Sequence, residues 1–541
     1  MTEASTPEQG EPQVIEAPAQ PGDERTPDAG QENLLNRLLY RGVLPRYAFP
    51  TDVATFYVFD PNKSQFTRPA FRFSPSQGLA IALSQYAPGK EVWIANKRFV
   101  SGAIYSPMRN ERFRAWQARR LYYECKNCHY ACTRSVEEGN KGDVGDCPAC
   151  GKEQVFGAAR FWFRPPGFAH PVSVAEDVTP DDSPAKSYAT RAKLDAPTPG
   201  KGEGNWLDVG ERIRVHYLRE QLLVTNTGPR QEGYTYCTLC GLIEPTALAT
   251  GRLVQPHPKP YPDQKEPVCT GARASTGVCL GTDFITDILL VSVRVDSPVR
   301  LTPGVLATEI ALRTLSEALA KATSVVLDLE EGEVQADYRA ALTNEGQSGL
   351  EAEIYLYDTL AGGAGFSRRA GERAAAVFEQ ALKILSNCDC DSSCYRCLRS
   401  FKNKFEHDRL DRRLARDLLL HLLQGQLPKL DEQRAMRAAS ILAEDVRRQS
   451  EGALEVQTDA SVSVPGVGKA IAPILVESDD GRRLIVAVSH PLSAQAYPEE
   501  HLRDVAEFSP VPVLLLHDLR IRRSLPSATR EVLVATGVVT S

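Results

Sequence analysis

The sequence predicts an α+β multidomain protein stapled by zinc, on three observations. Thirteen cysteines fall into tight clusters, several spaced Cys-x-x-Cys. Helix-like and strand-like apolar patterns alternate along the chain. The 541 residues, 42% apolar and 24% charged, have the composition of ordinary globular domains and the length for three or four of them.

Residues 1–32 carry eight acids against one arginine and no aromatic residue, so they read as a disordered acidic tail. The net charge of −6 therefore resides in the tail, and the rest of the chain is near neutral. An α+β unit is expected over 33–122. It comprises a short amphipathic helix at Leu34–Leu39, a strand at Thr51–Phe59, a helix at Gln77–Tyr86 and a hairpin turning about Asn96. Arg109, Arg112, Arg114, Arg119 and Arg120 surround Phe113 and Trp116. That pattern suits either a phosphate backbone with stacked bases or a core-facing aromatic pair with solvated arginines opposite.

Cys125-x-x-Cys128 and Cys147-x-x-Cys150 predict a zinc ribbon within 123–165, because each pair turns both sulfurs toward one point. A register using Cys128 and Cys132 is the alternative. Residues 172–205, rich in Pro, Asp, Ser and Lys, read as a linker or surface insertion. A β-rich zinc-binding stretch follows over 206–300, with strands at Arg212–Tyr217, Gln221–Thr225 and Ile285–Val295. Cys237 and Cys240 form its knuckle, with Cys269 and Cys279 as partners and His257 competing for the fourth place.

Residues 301–425 contain a helix at Thr302–Ala322, a strand at Ile354–Tyr357, and a glycine loop at Gly362, Gly363 and Gly365. A helix with apolar residues at Ala374, Val377, Phe378, Ala381, Leu382 and Leu385 comes next, and a closing helix spans Asp408–Leu423. Cys388, Cys390, Cys394 and Cys397 predict a third zinc site. The glycine loop lacks the Lys-Ser/Thr of a nucleotide-binding loop. It reads as a tight turn, with phosphate capture at the helix N-terminus as the other option. Arg396, Arg399, Lys402 and Lys404 follow the third site as nucleic-acid-binding candidates. A small α/β unit closes the chain over 426–541, with a helix at Leu430–Gln449 and strands at Ile474–Glu477, Leu484–Ser489 and Val513–His517.

Tyr357–Phe366, the four cysteines after it, and Ser400, Asn403, His407, Leu410, Asp411 and Arg412 together resemble the zinc-containing C-terminal domain of MrfA-type DNA helicases. Leu38–Val53 and Ala82–Gly89 resemble the same proteins. With no helicase motor before them, the combination is similar to the DrmB subunits of DISARM anti-phage systems. The resemblance implies a cytoplasmic complex subunit with about three structural zinc ions. It implies a DrmA-like DNA helicase or translocase as partner, and DNA held through its backbone.

No apolar leader or run of eighteen apolar residues is present, which predicts a cytoplasmic, membrane-free location. No catalytic residue is expected. The competing readings are a metal-dependent nucleic-acid hydrolase using Glu477 in the last domain, and a pure assembly scaffold.

Overall fold

A computed structural model describes residues 52–64, 69–108, 110–175, 189–196, 205–246, 251–340, 349–464, 468–493, 496, 500–508 and 511–539. The acidic tail, the helix expected at Leu34–Leu39, Arg109 and most of the expected linker lie outside them. Residues from Asp52 onward form one compact unit.

Two long strands are the backbone of the molecule, β1 (Ile213–Asn226) and β2 (Ala274–Arg294). They pair antiparallel in unbroken register from Ile213↔Val293 to Asn226↔Leu280. After β2 come the helix α1 (Leu306–Leu327) and the strands β3 (Val334–Ala340) and β4 (Glu351–Asp358). Strand β4 adds to the free edge of β2, with Leu290 opposite Tyr355, and β3 adds to β4. Arg160–Phe163 pairs parallel to β2 at Trp162↔Cys279 and carries the cysteine-ribbon strands into the same sheet. The boundary expected at residue 300 thus falls inside one shared sheet, because β2 and β4 are neighbours.

This sheet is buried on both faces, and the period of two sorts its residues. Leu289, Val291 and Val293 face one core, together with Ile354 and Leu356. Ile288 and Leu290 face the other, together with Tyr355 and Tyr357. Helix α1, α2 (Phe366–Glu372), α3 (Ala374–Ser386) and α4 (Arg412–Gln424) follow β4 or flank it, and α1, α3 and α4 fill the first core. The predicted α3 positions Ala374, Val377, Phe378, Ala381 and Leu385 are buried there. The second core takes the N-terminal strand Val53–Phe59 and helix Leu79–Gln85 through Phe56, Val58 and Leu83. The expected hairpin is present as Glu91–Ile94 and Lys97–Val100, and Ala95 and Asn96 supply the two positive φ angles of its turn.

The third layer of structure is the small C-terminal unit. Helix α5 (Glu432–Gln449) covers a four-stranded sheet of β5 (Leu454–Val464), β6 (Gly468–Ser478), β7 (Arg483–Ser489) and β8 (Val513–His517). The first three pair antiparallel, and β7 and β8 pair parallel. Short helices α6 (Asp518–Arg523) and α7 (Leu525–Ala535) complete it. Among the described residues, no helix is long and apolar enough to cross a membrane.

Candidate metal centres and nucleic-acid face

Cys125, Cys128, Cys147 and Cys150 converge so that their sulfurs all lie within 4.8 Å of one another. Each Cys-x-x-Cys sits on a tight turn, and the backbone amides of Asn127 and Cys128 donate to the Cys125 sulfur at 3.3 and 3.4 Å. Hydrogen bonds from the Cys128 and Cys147 thiols hold Cys125 far down, at about 2, while the hydrogen bonds of Cys128 with Cys125 and Cys147 push Cys128 far above the usual thiol range. A zinc ion here would be held by all four as thiolates. Cys132 is outside this set. It is buried, and burial pushes it up to about 12.

The second site differs from the four-cysteine expectation. Its ligand set is Cys237, Cys240, His257 and Cys269. His257 and Cys269 stand opposite each other on two short paired strands, which brings the imidazole to the knuckle. Its Nε2 lies 3.2 Å from the Cys240 sulfur, and its Nδ1 is 2.7 Å from the Gln255 carbonyl. With the proton on Nδ1 donated to that carbonyl, Nε2 is free to ligate. Cys279 belongs instead to the core. It lies in β2 among Tyr122, Trp162 and Leu223, and burial pushes its thiol up to about 12. Changing His257 to Ala should lower zinc from about three ions per chain to two, whereas Cys279→Ala should leave the count unchanged. Elemental analysis of the purified variants checks both.

Cys388, Cys390, Cys394 and Cys397 form the third set. Neighbouring sulfurs are 3.5–3.7 Å apart, and the backbone amide of Cys397 leads in holding Cys394 down at about 6. The polar residues beyond the cysteines are scaffold. Asn403 donates to Glu317 at 2.8 Å and to the Leu398 carbonyl at 2.9 Å, and it accepts from the Ser400 amide. His407 contacts Asn403 at 2.9 Å. Arg412 is buried and donates to the carbonyls of Cys390 and Leu385. Asp411 caps α4 by accepting from the Arg413 and Leu414 amides. All three donor sets, sulfur-rich and four-sided, fit about three zinc ions in structural sites.

The glycine loop turns out to be a carboxylate cradle, which corrects the phosphate option for Gly362, Gly363 and Gly365. Asp358 is fully buried and accepts from the amides of Ala364, Phe366 and Ser367 and from the Ser367 hydroxyl. Asp287 accepts from the Gly365 amide at 2.9 Å. The Gly362 and Gly363 amides donate to the carbonyls of Ile285 and Leu360. The amides from Gly362 to Ser367 thus all have acceptors within the protein. Glycine is needed at 363 for its φ of 75° and because a Cβ would collide with the Asp287 carboxylate.

The candidate cations divide. Arg396 is exposed, and Arg399 donates to Ser393 at 2.9 Å. Lys402 is committed to the Glu331 carbonyl at 2.5 Å, and Lys404 lies 4.1 Å over the Phe401 ring. Two aromatic residues not singled out in the sequence stand among them, Tyr395 at 67% exposure and Phe401 at 76%. In the earlier arginine-aromatic stretch Trp116 is packed and Phe113 is exposed. Trp116 lies against Phe161, Phe163 and Tyr236, Arg112 donates to the Leu239 carbonyl and Arg120 pairs with Asp283. In the C-terminal unit Glu477 pairs with Arg483 at 3.3 Å. Among the described residues, the clusters able to hold a metal are the three sets above.

Residues 315–398 match the MrfA Zn-binding domain, a segment running from α1 through the third cysteine set. The chain is also 30% identical over 431 residues to the Druantia protein DruE of Escherichia coli (strain UMEA 4076-1). The alignment covers 74% of this chain and 22% of that protein, so the chain spans about a fifth of the curated relative's length. Two crystal structures of the DUF1998 helicase MrfA also match. The DNA-bound form has a TM-score of 0.30 at 10% identity, covering 70% of this chain and 35% of that one. The other has a TM-score of 0.26 at 11% identity, covering 74% and 42%.

Proposed function

We propose that the protein is a non-catalytic, zinc-stapled accessory subunit that joins a DNA helicase or translocase of the DrmA kind in cytoplasmic anti-phage defence, in the manner of DrmB. The observation that carries this reading is the third metal site. Its cysteines face inward on a scaffold of buried polar residues, while its outer face presents Arg396, Lys404, Tyr395 and Phe401 to solvent. A closed zinc shell does no chemistry, so what the module offers is a shaped surface. Cations beside exposed rings suit nucleic acid, with phosphate contacts supplying affinity rather than sequence preference. The match to the MrfA Zn-binding domain and the similarity to DruE support the helicase and defence setting.

The hydrolase alternative finds little support in the C-terminal unit. Glu477 is held by Arg483, and His490 and His517 are engaged in the fold. His490 contacts buried Asp417 at 3.2 Å through Nε2 and accepts from the Leu492 amide, and His517 accepts from the Arg520 amide. Purified chain given Mg²⁺ and ATP or DNA should show neither nucleotide turnover nor cleavage. The chain should also co-purify from its native operon with a helicase, and the assembly's DNA affinity should fall steeply between low and moderate salt. Turnover or cleavage that survives removal of other proteins would overturn the non-catalytic reading. Absence of any co-purifying helicase would overturn the accessory one.

A further inference from the structure

A cleft of about 930 Å³ separates the third cysteine site from helices α5 and α6 of the C-terminal unit. Eight arginines and five aspartates line it. Most of the charge at its floor is already spent on architecture. Arg522 reaches Asp411 and Asp518, each at 2.9 Å, and Arg434 also holds Asp518. These contacts fasten the C-terminal unit to the cap of α4. Buried Arg412 is likewise committed to backbone carbonyls.

The walls are different. Arg437 and Arg523 are exposed and make no hydrogen bond or ion pair among the described residues. Arg413 faces only Asp391, at 3.4 Å, and that aspartate is 73% exposed, so the pair is weak. Guanidinium groups gathered in a concave surface raise the local anion concentration, and their fork geometry matches phosphate oxygens. His407 lines the cleft, and just beyond the lining the Tyr395 ring stands perpendicular to it at 5.4 Å and is 67% exposed. A nucleobase is the flat apolar group that such a ring covers best.

We propose that this cleft is a groove for single-stranded nucleic acid, with phosphates on Arg413, Arg437 and Arg523 and a base on Tyr395. The inference rests on the nucleic-acid reading above and names its path and strand form. An exposed ring such as Tyr395 covers an unpaired base, which a double helix keeps inside its own stack, so the strand form is single. The path is set by α4 and α5, joined by a short connection, and by α6 from far along the chain, which the Arg522 contacts bring to the cap of α4.

The test uses the full chain, a fluorescein-labelled oligo-dT of about 20 nucleotides, and anisotropy over a salt titration. R437E/R523E should weaken binding about tenfold or more and lower the salt slope by about two, while zinc stays at about three ions. Tyr395→Ala should weaken binding about 5- to 100-fold with the salt slope unchanged. Tight wild-type binding that neither variant alters would overturn the cleft and leave the accessory function standing. A duplex bound as tightly and equally sensitive to R437E/R523E would overturn the single-strand assignment. Inorganic tripolyphosphate displacing the oligonucleotide at equal concentration would assign the cleft to a small polyanion and overturn the proposal. Failure of the wild-type chain and of its co-purified assembly to bind any DNA would overturn both readings.

Discussion

Cys394→Ser should remove one zinc ion per chain and unfold the segment from α3 to α4, not merely weaken a surface. Structural zinc in small cysteine sites contributes about 10–16 kcal/mol of folding free energy at neutral pH. Whole domains are stable by only about 5–15 kcal/mol. Loss of one ligand therefore competes with the entire margin of the module. The consequence spreads because the site is not peripheral. Cys388 and Cys397 belong to the same core as α1, α3 and α4, and Lys321 of α1 donates to the Cys397 carbonyl at 2.6 Å. Elemental analysis and a thermal melt of the variant check this together. A variant that keeps three ions, or melts with the wild type, would show that this site is dispensable.

The cysteine sites were legible wherever the ligands are local. Cys-x-x-Cys constrains its own turn, so sites one and three follow from spacing. Site two was half legible, because its fourth ligand depends on a pairing of two short strands across a proline-rich loop. Cys279 is nearer Cys269 in sequence than His257 is, but the long strand β2 carries it away into the Trp162 core. Strand β1 looked like two strands because Leu218–Gln221 are mostly exposed and polar, yet they continue the ladder against Ile285–Ile288. The helix expected from Thr302 begins at Leu306, with Val305 as its cap and no side-chain capping bond.

Strand β5 escaped the sequence reading altogether. Its alternation through Leu454, Val456, Ala460, Val462 and Val464 is present, but the polar Thr458-Asp459 interrupts it. There Asp459 takes a positive φ opposite Pro473, which has no amide to donate. The arginine cleft was invisible for another reason. Its walls come from α4, α5 and α6, and no local pattern announces that Arg413, Arg437 and Arg523 share a space.

Asp358→Ala should destabilise the protein by about 3–6 kcal/mol, since it strips a buried acceptor from four donors. An unmet buried donor costs about 1–3 kcal/mol, and here three amides lose their acceptor together, while the Ser367 hydroxyl keeps the Leu356 carbonyl at 3.3 Å. Water that enters the space left behind recovers part of this, which keeps the total in the lower part of that range. Asp358→Asn is the sharper probe. Its carbonyl oxygen still accepts, but its NH₂ group meets donors where a carboxylate oxygen stood, so the amide recovers less than its shape suggests. Urea unfolding at constant zinc content separates this from metal loss. A cost below about 1 kcal/mol for both variants would mean the loop amides find other partners, and the glycine turn would again be open to an outside anion. A large cost with zinc intact fixes the opposite meaning. In this chain a strand, a glycine loop and a helix N-terminus bind a phosphate-like charge that the protein supplies from its own Asp358.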